Sequence, residues 1–143
     1  MLATQSLTPH KIPSSASGGV ITNYDGFRVH TFTTTGSAQY FVNTSVPVIE
    51  VLVVAGAGGG GRAGGGGAGG LIQIMEGIGN VNTIGLLPVT ASTYTINIGI
   101  AGVGHPIDGV NGKTNGGDTT MSGAGITTLT AKGGGYGGWS AVA

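Results

Sequence analysis

The sequence predicts an all-β chain, and three observations carry that reading. No window of eleven residues free of glycine repeats its apolar residues at helical spacing. Thr and Val dominate the segments that show any regular pattern, and both suit a pleated, half-buried surface. Those segments are short and bounded by Gly, Pro, Asn and Asp. The expected architecture is a small antiparallel β-sandwich, jelly-roll-like, with long glycine-rich loops and an extended N-terminal arm. Two units follow: an arm over 1–17 and a glycine-rich β domain over 18–143.

The arm carries Pro9, Pro13 and many hydroxyl residues without periodicity. Leu2, Leu7 and Ile12 recur at five-residue spacing, which is enough to dock on a neighbour but not to build a core. A floppy tail is the plainer alternative. Val20 to Thr33 reads as a hairpin, because VITNY and FRVHTFT flank Asp25-Gly26, a dipeptide that supplies the positive φ of a type I′ turn. Gln39 to Val42 is a short aromatic strand, and Pro47 marks the entry to Val48–Val54. That strand, VIEVLVV, is apolar on both faces apart from Glu50, as a strand inside a sheet would be.

It runs straight into Ala55–Gly70, where Arg62 is the only side chain larger than methyl. Glycine loses more backbone entropy on ordering than any other residue. Such a tract is packed backbone against backbone, or an irregular ordered loop, or disordered. Gly58, Gly61, Gly64, Gly67 and Gly70 recur at a spacing of three, the period of a polyproline II-type helix. A glycine column of that period lets polyglycine II helices touch and hydrogen-bond with almost no apolar core.

After the tract, Leu71–Met75 is a short strand and Glu76–Leu87 is ambiguous. Thr93–Ile98 alternates, with Tyr94, Ile96 and Ile98 inward and Thr93, Thr95 and Asn97 outward. A second Gly/Asn-rich stretch fills Gly99–Gly117. Thr119–Met121 and Ile126–Ala131 are the last strands. GGGYGGWSAVA closes the chain, with Tyr136 and Trp139 set in glycine.

Composition narrows the partners. Five basic and five acidic side chains give zero net charge in 143 residues. Nothing here steers the chain to nucleic acid or to an anionic membrane. Surface charge this sparse suits a subunit held in an assembly, or a surface solvated by Thr, Ser and Asn. Cysteine is absent, so neither a disulfide framework nor a thiolate metal site is expected. No apolar stretch approaches the roughly 20 residues of a membrane span, and the first residues lack the pattern of a secretory signal.

Motif matches carry little chemistry. Gly56–Gly61 fits GxGxxG with Glu76 about twenty residues on. That site needs a helix N-terminus under the pyrophosphate, and glycine-rich GRAGGGGAGG opposes a helix. Gly112-Lys113-Thr114 ends like a P-loop, but Ile107 stands where its first glycine belongs. His10, His30 and His105 are isolated, and His30 is read as hydrogen-bonded or exposed rather than a metal ligand. Asp108, Asn111, Asn115 and Asp118 match no calcium loop, so a turn-rich loop is the default. No nucleophile with a neighbouring base and no carboxylate pair stands out. Catalytic residues, metal and cofactor are therefore expected to be absent. Arg62, Tyr136 and Trp139 remain as surface or receptor-contact candidates, since aromatics on a glycine backbone can stack on sugars or fill a partner's pocket; closing off the core is the alternative for the two aromatics.

The blocks GGVITNYDGFRVHTFTTTGS, VIEVLVVAGAGGGG, GGGGAGGLI, STYTINIGIAGVG, NGKTNGGDTTM and ITTLTAKGGG occur in that order from Gly18. The series resembles the glycine-rich domain of bacteriophage tail-fibre and other virion appendage proteins. The resemblance implies a non-enzymatic β module on the virion surface, made in the host cytoplasm and homo-oligomeric, with a trimer the expected state. Its partners would be capsid or tail proteins and, in the fibre-tip case, a host surface glycan or outer-membrane protein. Two departures stand out. Glu76–Leu87 is longer and more apolar than the family pattern, and a chain beginning at Met1 and ending soon after the domain suggests a self-standing subunit. A capsid decoration protein or short head fibre, docked through Leu2, Leu7 and Ile12, is the first expectation; a receptor-binding adhesin is the alternative.

Overall fold

The computed structural model describes residues 2–6, 16–24, 27–44, 46–75, 87–105 and 112–138, with the backbone alone for 2–6 and 46–48. Eleven strands follow one another: β1 (Leu2–Ser6), β2 (Ala16–Ser17), β3 (Val20–Tyr24), β4 (Phe27–Thr31), β5 (Gly36–Val42), β6 (Val46–Val54), β7 (Leu71–Ile74), β8 (Leu87–Val89), β9 (Ser92–Ile98), β10 (Thr119–Ser122) and β11 (Leu129–Ala131). The chain is all-β among the described residues. One sheet has the order β3-β4-β1-β6-β7, with β8 pairing the first part of β6; the other has the order β11-β10-β9-β5-β2. Every pairing is antiparallel.

The expected jelly-roll-like sandwich is not what forms. The sheets are open, and none closes on itself or curls strongly. The reason lies in the stretches that leave β6, β9 and β11. A jelly roll uses such stretches as strands that cross between sheets. Here they are glycine segments, and they pair with one another instead. The β3–β4 hairpin does form, with Tyr24 opposite Phe27; Asp25 and Gly26 lie outside the described residues.

Leu2–Ser6 was expected in a docking arm. Its backbone pairs with β4 on one side and β6 on the other, Ala3 standing opposite both His30 and Val51. Leu7 and Ile12 lie outside the described residues, as do Trp139 and most of the ambiguous Glu76–Leu87.

Alternation fills one shared core from both sheets. Ile49, Val51 and Val53 of β6 and Ile74 of β7 join Tyr40 and Val42 of β5, Tyr94 and Ile96 of β9, Met121 of β10 and Leu129 of β11. Each such side chain contributes about 1.5–3 kcal/mol on full burial. Tyr40 and Tyr94 face each other across β5 and β9, 6.3 Å between ring centroids, and His30 meets Tyr40 edge-on at 5.0 Å.

His30 is wholly buried in β4. Its Nδ1 lies 2.9 Å from the Gly18 carbonyl oxygen, so the neutral ring donates there. Its Nε2 has no hydrogen-bond partner. Burial, with Arg28 nearby, holds the imidazole below its ordinary 6.5, against the opposing pull of the Gly18 bond. In the unfolded chain the ring takes a proton near that ordinary value, while the folded ring does not. Stability is therefore full above about pH 6.5 and lost as pH falls below it. We expect thermal melts from pH 7.5 to 5 to show a falling Tm for the native chain and a flatter profile for His30→Leu. Equal slopes would remove His30 from the account.

Candidate binding surface at the end of a glycine bundle

Five segments without regular strand structure run between or beyond the strands: Ala55–Gly61, Gly64–Gly70, Gly99–His105, Gly112–Gly117 and Lys132–Gly138. They hydrogen-bond to one another at steps of three residues. Ala55, Gly58 and Gly61 donate their N–H groups to the carbonyls of Gly70, Gly67 and Gly64. Gly56 and Gly59 donate to Gly117 and Thr114. The carbonyls of Ala57 and Gly60 accept from Gly102 and His105, and those of Gly56 and Gly59 accept from Gly134 and Gly137. Ala55–Gly61 is thus central, with four neighbours around it. Successive residues of a three-fold helix point 120° apart, which is how one strand of backbone serves several partners.

Where the segments face one another the packing leaves no room for side chains. A Cβ on Gly58 or Gly61 would run into the carbonyls of Gly135 or Gly138, and one on Gly67 would come within 3.3 Å of the Gly135 nitrogen. One on Gly64 would lie 3.2 Å from the Gly138 nitrogen, and one on Gly70 2.9 Å from that of Lys132. The column of five glycines read from the sequence is therefore a single groove, and Lys132–Gly138 lies in it. Polyglycine packing is the reading of the tract that the backbone bears out.

Asp118 anchors the near end of that last segment. Its Oδ1 accepts the Gly133 N–H at 2.8 Å and its Oδ2 pairs with Lys132 Nζ at 2.7 Å. Both contacts hold its carboxyl below the usual carboxylate range, the Lys132 bond foremost.

Seven residues of such a helix extend about 20 Å. Ala55–Gly61, Gly99–His105 and Lys132–Gly138 run away from the sheets, and the other two segments return. The far end and its flank gather Arg62 in the Gly61–Gly64 turn, His105, Lys113 and Tyr136. Arg62 is exposed, and Tyr136 is half exposed. Lys113 Nζ lies 5.0 Å from the centre of the Tyr136 ring, a cation–π contact, while the Tyr136 N–H donates to Asn115 Oδ1 at 3.0 Å. Glu50 and Asp118, the carboxylates among the described residues, lie elsewhere. The far end is thus cationic and aromatic on a stiff backbone. On the flank, Ile100 and Val103 expose an apolar column at the same three-residue step.

Two residues of the far end, His105 and Lys113, are absent from the candidates the sequence offers, and Trp139 lies outside the described residues. Arg62 and Tyr136 stand out in the sequence as large side chains in glycine. Lys113 belongs to the incomplete P-loop match, and its place in the second glycine stretch is the signal that points to it. That segment is no phosphate loop, since its Thr114 is taken up by Val103 and Gly59. Gly56–Gly61 likewise precedes no helix.

A family model described as a glycine-rich domain matches residues 33–143. The chain belongs to the glycine-rich domain family. The matched part of this glycine-rich domain holds all five bundle segments and begins after the β3–β4 hairpin. No curated protein and no solved structure matches the chain significantly. Among the described residues the domain has no group of three His, Asp or Glu able to hold a metal ion. No helix long and apolar enough to cross a membrane occurs among those residues. A cleft of about 300 Å³ beside β3 is lined by Thr31, Phe32, Thr34 and Gln39 among others, without a titratable group.

Proposed function

We propose that the protein is a non-enzymatic structural component of a bacteriophage virion, exposed on the particle surface, whose glycine bundle presents its far end to the host cell. The single observation that carries this is the glycine-rich shaft, packed backbone against backbone, that ends in Arg62, Lys113 and Tyr136. A frame so short of side chains has little catalytic chemistry to offer, yet it holds a cation and an aromatic ring well away from the sheets. The order of the six sequence blocks supports the virion reading. The partner on the host would be a surface glycan or outer-membrane protein, and on the particle a capsid or tail protein, with several copies of the chain together.

The capsid decoration reading rests on docking through the N-terminus. It is less well supported, because the backbone of Leu2–Ser6 is taken up within the chain's own sheet. The two readings separate on engineered phage. Arg62→Ala with Tyr136→Ala is expected to leave particles complete and to slow adsorption about tenfold, the scale of losing aromatic and arginine anchors from an interface. Normal adsorption with complete particles sinks the attachment reading. Particles that lack the protein after Leu7→Ser with Ile12→Ser, which leaves both N-terminal strands in place, and adsorb normally, favour decoration.

A further inference from the structure

β3 ends its sheet, and its outer edge has no neighbouring strand among the described residues. All five residues, Val20, Ile21, Thr22, Asn23 and Tyr24, are exposed, with Val20 at 66% and Tyr24 at 77%. Edge strands are usually guarded by Lys, Pro, a bulge or an inward charge. VITNY has no charge and no proline, and its register with β4 runs unbroken through five pairs.

The hydrogen-bond phase of this edge follows from the hairpin. Tyr24 and Phe27 stand opposite each other with two residues between them, and in a two-residue hairpin the flanking pair is the one that exchanges hydrogen bonds. Alternation then turns the backbone groups of Thr22 and Val20 toward β4 as well. The N–H and C=O groups of Ile21 and Asn23 face outward.

We infer that β3 pairs antiparallel with β3 of a second copy of this chain, about a two-fold axis at Thr22. In that register Ile21 stands opposite Asn23 of the other copy, and the reverse. The four outward groups of each strand meet their complements, making four backbone hydrogen bonds. Thr22 faces its own equivalent, and Val20 faces Tyr24, in close pairs that do not exchange hydrogen bonds. An aromatic against a β-branched side chain is a favourable cross-strand pair. The occupant is a second copy because the edge is its own complement: spacing, side-chain pairing and lack of charge all satisfy one two-fold operation. The two hairpin sheets then become one continuous sheet, and both glycine bundles remain outside the contact. This pairing goes beyond the proposed function and does not depend on it.

The test is sedimentation of the full chain over a concentration series. The native chain is expected to form dimers. Thr22→Lys and Thr22→Glu each set like charges opposite one another and are expected to weaken the dimer at least about tenfold. Their 1:1 mixture restores a heterodimer that weakens with salt. The Thr22 side chain is exposed, so circular dichroism is expected to show both variants folded. A native chain that stays monomeric throughout overturns the inference. So does a dimer that survives either charge, a mixture that fails to pair, or a trimer as the sole assembly.

Discussion

Gly59→Ala is expected to destroy the glycine bundle. A methyl group there would occupy the space of the Val103 carbonyl. The backbone on both sides is already committed. The Gly59 N–H donates to Thr114 at 3.0 Å, its carbonyl accepts from Gly137 at 2.8 Å, and the Val103 carbonyl itself accepts from Thr114 at 3.0 Å. Relief requires the central segment to move off three neighbours at once. Overpacking a rigid site costs about 1–3 kcal/mol and more where nothing yields, so a loss above about 3 kcal/mol is expected. Gly60→Ala is the control one residue away. A Cβ on Gly60 meets nothing within 4 Å, and removing glycine's unfolded-state freedom adds about 0.4–1 kcal/mol. Thermal unfolding of the two variants should therefore move in opposite directions. Similar melting points for Gly59→Ala and the native chain would mean that the backbone contacts are not formed in solution.

Tyr94 is expected to give the second large effect. Its ring is fully buried, against Tyr40 on one side and close to the backbone of Gly123. Its hydroxyl oxygen accepts the Thr90 N–H at 2.9 Å and stands 3.2 Å from the carbonyl oxygens of Thr90 and Ala124. One atom thus ties the β8–β9 turn to the β10–β11 connection. Tyr94→Phe keeps the ring and strands a donor, which costs about 1–3 kcal/mol. Tyr94→Ala also empties the core and costs about 3–5 kcal/mol by analogy with other aromatic truncations. Chemical denaturation of both variants separates the two contributions. If Tyr94→Phe matches the native chain, the hydroxyl network contributes nothing net.

Much of the fold was legible because it follows from local alternation. Tyr94 and Ile96 are buried and Thr93, Thr95 and Asn97 exposed, as period-two patterning demands. The hairpin was legible because its turn dipeptide has its own backbone preference. The glycine column was legible as a contact surface, because a three-residue period has one geometric meaning. Its partner was not. Backbone packing carries no side-chain identity, so nothing in Gly58–Gly70 names Lys132–Gly138. Sheet closure was misread for a related reason: alternation says which face is buried, not whether the chain's connections cross between sheets. Leu87–Val89 was not predicted as a strand; it is three residues with Pro88 at its centre. Of the far end, Arg62 and Tyr136 stood out by size alone, whereas Lys113 becomes meaningful only when Gly112–Gly117 is laid beside the last segment.

The bundle divides the chain's labour between two kinds of residue. Inside it, contacts are made by atoms that every amino acid shares, so natural variation there is nearly forbidden and carries no information about a partner. At the turns and along the outer columns, where Arg62, Ala63, Lys113 and Tyr136 sit, a side chain can be exchanged without disturbing the segments beneath. Recognition can then drift quickly across such a surface while its frame stays fixed, and related chains would differ most where a target is touched and least where nothing but backbone meets backbone.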